Sequence, residues 1–228
     1  MRISLCLVVW NEIEGCKLDV PRLPRHAFEE VYAVDGGSTD GTVEYLEAQG
    51  IPVHRQPEKG LNAAYLFAAE KSTCDAVVVF FPKGNLPVDD VLKFRPLLDK
   101  GNDLVIASRN MRNARNEEDG RIVKPRKWCV LALAVLAALL WRREGWMVRD
   151  VLHGVKGFTM TGIRRMNPSN HGLSIDIEMV VRSYRLRLPR AEFPTHETER
   201  VHGATRFRML PTGLKLMRYL FRELLRSA

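Results

Sequence analysis

The chain has 228 residues, 46% of them hydrophobic, which is enough for a well-packed domain and too apolar for a disordered chain. Its four cysteines, Cys6, Cys16, Cys74 and Cys129, follow neither CxxC nor Cys/His spacing, which excludes a disulfide scaffold or zinc module and reads as reduced core residues of a cytosolic protein. A formal net charge of +8 calls for an anionic partner, whether nucleic acid, membrane surface or phosphorylated substrate, and arginines accumulate from Arg109 to Arg226.

Ile3 to Trp10 is a β-branched apolar run that predicts a first strand; it is too short for a signal peptide and runs straight into polar Asn11-Glu12. Val31 to Val34 predicts a second strand. Asp35-Gly36-Gly37 then turns the chain, and Ser38, Thr39 and Asp40 offer caps for a helix that stops at Gln49-Gly50. In an open α/β sheet such a strand end is where ligands bind, because glycines admit a close backbone approach and the helix start favours anions. Ile51 to His54 gives a third strand, Ala63 to Lys71 a helix, and Ala76 to Phe81 a strand buried on both faces. Pro82 to Pro87 is a loop, Val88 to Leu98 a helix with Asp89 and Asp90 in its first turn, and Asp103 to Ser108 another strand. This alternation predicts an α/β fold with a mostly parallel sheet.

The polar stretch from Asn110 to Arg126 has no apolar period and reads as a mobile loop. Trp128 to Trp141 follows as an apolar helix bracketed by basic pairs; at roughly 20 Å it falls short of the ~30 Å hydrocarbon core. Burial in the domain and residence in a membrane interface are both open to it. In the tail, Lys215, Arg218, Arg222 and Arg226 repeat at helical spacing and predict a basic amphipathic helix, suited either to anionic lipid or to packing on the domain.

The order of these elements and their motifs resembles the family 2 glycosyltransferases of GT-A fold, and among them the polyprenol-phosphate glycosyltransferases of the dolichol-phosphate mannose synthase type. Val9-Trp10-Asn11-Glu12 resembles TYNE, and Asp35 to Thr42 resembles DDGSTDGT with a glycine for the second aspartate. Lys59 to Ala64 resembles KxGLGxA, Ile106 to Arg109 ends like GSR, and Asp150, Gly154 and Lys156 resemble DxxSGF(K/R). Ile177-Glu178-Met179 resembles IEL, Glu192-Phe193-Pro194 resembles EVP, and the segment from Arg200 to Arg206 resembles DRxxGxSK. The matches run in order along most of the chain.

The resemblance implies a Rossmann-like GT-A domain over residues 1–228, with residues 1–110 as a nucleotide-sugar half, 111–208 as an acceptor half and 209–228 as the amphipathic helix. It implies a UDP- or GDP-linked sugar held by Val9, Asn11, Glu12, Asp35, Gly37, Ser38, Lys59, Gly60, Asn62 and Asn85, with Glu12 at the ribose and Asp35 at the base. A carboxylate accepts hydrogen bonds from ribose hydroxyls or a base N–H, which suits that assignment. The departure is at the metal site. Family members place Asp-Ala-Asp after the buried strand to hold Mg²⁺ or Mn²⁺, and this chain has Phe81-Pro82-Lys83 there. No cofactor and no metal ligand set is therefore predicted, although Mg²⁺ or Mn²⁺ stays open; either Lys83 itself supplies the positive charge for the departing diphosphate, or the chain has lost transfer and only binds a nucleotide, lipid or partner.

The implied acceptor is a lipid phosphate, ionised already, so that cations rather than a base carry the burden. Arg109, Arg126, Arg200 and Arg206 are the candidates, and Lys83, Arg109 and Arg200 are the residues expected to act in transfer, with inversion. For a hydroxyl acceptor, a carboxylate base would be required, for which Asp150, Asp176 and Glu178 are available; Glu178 reads equally as a structural partner for an arginine. His153 lies in the DxxSGF-like turn. The expected setting is the cytoplasmic side of the inner membrane face, with peripheral contact. Nucleic acid is not expected, because the basic residues flank apolar helices rather than exposed aromatics. Two other readings of the same residues are a transferase acting on a glycan or small-molecule hydroxyl, and an inactive GT-A protein that binds nucleotide or lipid.

Overall fold

The computed structural model describes residues 1–199 and 209–225. A seven-stranded sheet runs through it in the order β3-β2-β1-β4-β6-β5-β7, built from β1 (Ile3–Val9), β2 (Glu30–Asp35), β3 (Val53–Arg55), β4 (Ala76–Phe80), β5 (Leu104–Ser108), β6 (Lys156–Thr159) and β7 (Arg190–Pro194). Strands β3, β2, β1 and β4 are parallel, β6 enters antiparallel between β4 and β5, and β7 extends β5 in parallel. Every residue of β1 and β4 is buried, as expected of strands covered on both faces.

Among the described residues eight α-helices cover the sheet: α1 (Ile13–Asp19), α2 (Thr42–Ala48), α3 (Leu61–Lys71), α4 (Phe94–Asp99), α5 (Pro125–Trp141), α6 (Met160–Met166), α7 (Ile175–Arg185) and α8 (Met209–Leu225). Alternation along β1 separates two cores. Leu5, Leu7 and Val9 face the layer containing Cys16 of α1, Leu46 of α2 and Leu98 of α4. Cys6 and Val8 face the layer supplied by α3, α5, α7 and α8.

The sequence places the first five strands to within a residue or two of their observed bounds. It misses β6 and β7, which are short and carry no alternating apolar signal. Gly157 lies inside β6, paired with Val78 and Val105, where a Cβ would stand 2.6 Å from the Phe94 ring. The helix expected over Val88 to Leu98 is a 3₁₀ stretch, Val88–Lys93, that leads into α4.

The charged stretch after Arg109, expected to be mobile, is tied down. Arg115 bridges to His196 beside the end of β7, donating its N–H to Thr195 O and accepting from Glu197 N. Buried Glu118 accepts the N–H of Lys127 in the first turn of α5. Charge pattern alone hid these backbone contacts. Helix α5 buries Val130, Leu133, Ala134, Ala137, Ala138 and Trp141 in the domain and leaves Trp128, Val135 and Leu139 exposed. No helix among the described residues is long and apolar enough to cross a membrane.

Helix α8 departs from the simple two-faced expectation. Leu216, Leu220 and Glu223 are buried against the domain. Leu214, Met217, Phe221, Leu224 and Leu225 form a second, exposed apolar stripe at three- and four-residue spacing, beside the exposed Lys215, Arg218 and Arg222.

Candidate functional site

The ends of β1 and β2 carry crossed turns. Asn11, held at φ 50°, donates its N–H to Ser38 Oγ and accepts Thr39 N through its side chain. Asp35 accepts from Gly37 N, Ser38 N and Ser38 Oγ, and Asp40 accepts from Ile13 N and Thr42 N. Thr42 Oγ1 takes the Glu12 N–H at 3.0 Å. Short polar side chains at these positions satisfy the orphan N–H groups of two turns and two helix starts at once.

Beside these turns lies a cavity of about 300 Å³ at the carboxyl ends of the parallel strands, where an open α/β sheet binds ligands. Val9, Glu12, Lys59, Gly60 and Lys83 line it, as do Trp10, Gly36 and Gln56, which the motif reading passed over. Trp10 is 51% exposed and lies against Gly36, where a Cβ would come within 3.2 Å of the Trp10 Cβ. Its exposure was legible only as an aromatic at a strand end.

A second cavity, of about 250 Å³, opens between the loop after β4, the end of β5, α5 and α8. Leu133, Leu152, Leu173 and Leu216 supply apolar wall; Lys83, Arg109, Arg126 and Lys127 supply cations. The two cavities share Leu61, Phe81, Lys83, Leu173 and Thr212. The Lys83 ammonium stands 4.7 Å from the centre of the Phe81 ring, a cation–π distance, at that junction.

Several expected site residues sit elsewhere. Asp35 is 2% exposed and spends both oxygens on its own turn, and Gly37 and Ser38 belong to the same turn; none of these, nor Asn11, lines either cavity among the described residues. Asn62 is fully buried as a strut: it donates to Ser169 O and Glu178 Oε2 and accepts Ile175 N, which corrects its expected place on the nucleotide sugar. Asn85 lines the second cavity, not the first, and donates to Glu197. Glu178 pairs with Arg182 at 2.7 Å as well as with Asn62, so the structural reading of this residue fits its surroundings. Arg200 and Arg206 lie outside the described residues.

Arg109 is held from behind. Its Nε and Nη2 donate to Asp150 at 2.8 and 2.9 Å, and its Nη1 donates to Glu197 at 2.9 Å. Burial alone would lower the guanidinium pKa, but these two carboxylates outweigh it and hold the charge above its usual range. Burial likewise pushes Asp150 up, and Arg109 overrides that to keep its carboxyl well below the ordinary range. A carboxylate so paired is a poor proton acceptor, which weighs against Asp150 as a base. Arg126 pairs with Glu117 and Lys127 with Asp119, so the paired cations of this wall meet an incoming anion in competition with carboxylates.

His153 also lines the second cavity; its Nδ1 faces Ala107 O, and burial, reinforced by Arg109, draws its pKa down to about 4. Beneath it Lys156, fully buried, pairs with Asp176 at 2.5 Å; burial lowers the ammonium pKa and Asp176 opposes that. Neither pairing was visible from sequence spacing.

The loop after β4 does not fit a divalent ion. Phe81 and Pro82 offer no oxygen side chain, Lys83 brings a like charge, and no group of three or more His, Cys, Asp or Glu side chains gathers to hold a metal among the described residues.

The model of the family described as Glycosyl transferase family 2 matches residues 5–167. Glycosyltransferase AglJ of Haloferax volcanii is 27% identical over 210 residues, covering 88% of this chain and 65% of its own length. A UDP-N-acetylglucosamine--dolichyl-phosphate N-acetylglucosaminyltransferase of Methanococcus voltae is 23% identical over 184 residues, 71% of each chain. Against the first of these relatives the chain thus spans less than two thirds of the relative's length. Among solved structures, glucosyl-3-phosphoglycerate synthase from Mycobacterium tuberculosis with Mn²⁺ and UDP-glucose superposes with a TM-score of 0.70 at 20% identity, over 98% of this chain and 78% of that one. At that identity the likeness shows the fold, a GT-A mixed sheet flanked by helices.

Proposed function

The chain belongs to glycosyl transferase family 2, and from that premise we propose that it transfers a sugar from a UDP- or GDP-linked donor to a phosphate-bearing lipid of the polyprenyl type, with Lys83 in place of the usual metal. The observation that carries this reading is the position of Lys83 on the shared wall of the two cavities, where a donor diphosphate and an acceptor phosphate would meet. The nucleoside lies in the first cavity, its base against the exposed face of Trp10 and its ribose hydroxyls donating to Glu12. Lys59 and Lys83 face the diphosphate.

The acceptor's ionised phosphate enters the second cavity, steered by Arg109 and Arg126, while its chain lies along the leucine wall. One phosphate oxygen forms the new bond to the anomeric carbon as the bond from that carbon to the β-phosphate oxygen breaks, and the configuration inverts. The electron pair leaves on the diphosphate, where the Lys83 ammonium stabilises it. No base is needed. The exposed apolar stripe of α8, with its adjoining cations, and Trp128 and Leu139 of α5 support a peripheral seat on an anionic membrane.

One observation favours a second reading: Glu197 lines the acceptor cavity, where it would accept a hydrogen bond from, and so orient, the hydroxyl of a phosphorylated small molecule whose phosphate Arg109 holds. Calorimetric titration with UDP- and GDP-sugars, with and without divalent ions, tests the donor site, and radiolabel transfer to a short-chain polyprenyl phosphate or to phosphoglycerate separates the acceptors. Binding of a nucleotide sugar without metal, and a drop of about 10² in turnover for Lys83→Ala, are the expected results. Failure of every nucleotide to bind, or full dependence of transfer on a divalent ion, overturns the reading.

A further inference from the structure

We infer that Asp19 is a positioning residue that fixes the loop carrying Lys83 between the two cavities. The inference rests on the reading of Lys83 as the cation for the donor diphosphate. A lysine ammonium rides on four rotatable bonds, so its reach is only as well defined as its Cα. A loop that offers no metal ligands has to be held by the protein instead.

Three contacts hold it. Asp19, the last residue of α1, is 1% exposed, and its Oδ2 accepts the Gly84 N–H at 2.8 Å, with the Lys83 N–H adding to it. One turn earlier, Gly15 presses on the same loop: a Cβ there would stand 2.3 Å from Pro82 O and 2.8 Å from Lys83 Cα. From the acceptor side the Phe81 ring lies on Gly154, where a Cβ would come within 2.6 Å of Phe81 Cε2. The residue flanked by all three contacts is Lys83.

The chemistry of Asp19 fits positioning better than stability. Burial raises the pKa of its carboxyl, opposed by the Gly84 N–H and by Arg22. A buried carboxylate is costly, and an apolar residue at a helix end would pack there at less cost. What the carboxylate adds is direction, since its oxygens fix the backbone N–H groups of the turn on which Gly84 takes φ 67°. Preorganisation of this kind places charge before the reaction rather than during it.

The test compares affinity for UDP against UMP, and GDP against GMP, by calorimetry of the full chain, since Lys83 reads the second phosphate. Lys83→Ala should reduce the diphosphate preference at least about tenfold. Asp19→Asn, which keeps the shape and one acceptor, should reduce it about threefold and Asp19→Ala about tenfold, each with monophosphate affinity unchanged and each without further effect in the Lys83→Ala background. Asp19 variants that weaken mono- and diphosphate alike, that change nothing, or that act equally in the Lys83→Ala background overturn this inference alone. A Lys83→Ala protein with an intact diphosphate preference overturns the reading beneath it, and with it the inference. Should Asp19→Ala not fold, Asp19→Asn decides by the same criteria.

Discussion

Gly15→Ala pits two effects of opposite sign against each other. Gly15 lies inside α1, so a methyl group there gains about 0.5–1 kcal/mol of helix propensity. Against this, the new Cβ would stand 2.3 Å from Pro82 O, about 1 Å short of ordinary contact, and the atoms it meets are backbone on both near approaches. Neither side yields easily: α1 is pinned at its start by Asp40 and Thr42, and the loop is pinned by Asp19. Overpacking costs about 1–3 kcal/mol, and an approach of 2.3 Å to backbone belongs to the upper part of that range, about 2–3 kcal/mol, so the net expectation is a loss of about 1–2 kcal/mol. For a chain of this size that is a fall of roughly 2–8 °C in Tm. Gly213→Ala is the control, since a Cβ there meets nothing within 4 Å and should add about 0.5–1 kcal/mol to α8. Thermal and urea unfolding of both variants decide the matter. A Gly15→Ala protein as stable as the parent, or more so, would refute the claim that α1 and the Lys83 loop are in hard contact.

Lys156→Met should cost about 3–5 kcal/mol in urea unfolding, because it leaves Asp176 buried without its cation, and adding Asp176→Leu should recover most of the loss. His153 titrates near 4 when folded and near 6.5 when unfolded, so the unfolded chain takes up the proton first; its contribution is intact above the unfolded value and fades as pH falls toward 4, by about 3 kcal/mol. His153→Asn should remove that part of the acid-side slope, measured as the difference in unfolding free energy from the parent between about pH 7 and about pH 4.5. Phe221→Asp and Leu214→Asp, at positions 62% and 73% exposed, should each weaken cosedimentation with anionic vesicles about tenfold while leaving the urea midpoint unchanged. Unchanged vesicle binding in both would count against α8 as the membrane contact.

The sequence alone determined the parallel half of the fold and the turns at its strand ends. The apolar runs of β1 and β4 and the Gly-, Ser- and Asp-rich turn after β2 are local signals, each complete within about ten residues. It also fixed the absence of carboxylates from the loop after β4, since that is a matter of residue type. What it left undetermined depends on partners far along the chain. Arg109 reads as a free phosphate ligand until the fold brings Asp150 and Glu197 onto its guanidinium. Asn62 reads as a ligand residue until Ser169, Ile175 and Glu178 close over it. The apolar positions of α8 look like one face until packing takes Leu216 and Leu220 and leaves Phe221 outside. Periodicity records which side chains avoid water, whereas which surface covers them is settled only by contacts between segments distant in sequence. Lys83 shows both halves of that division: its charge is written in the chain, and its place between two cavities is decided by Gly15, Asp19 and Gly154, none of which is its neighbour in sequence.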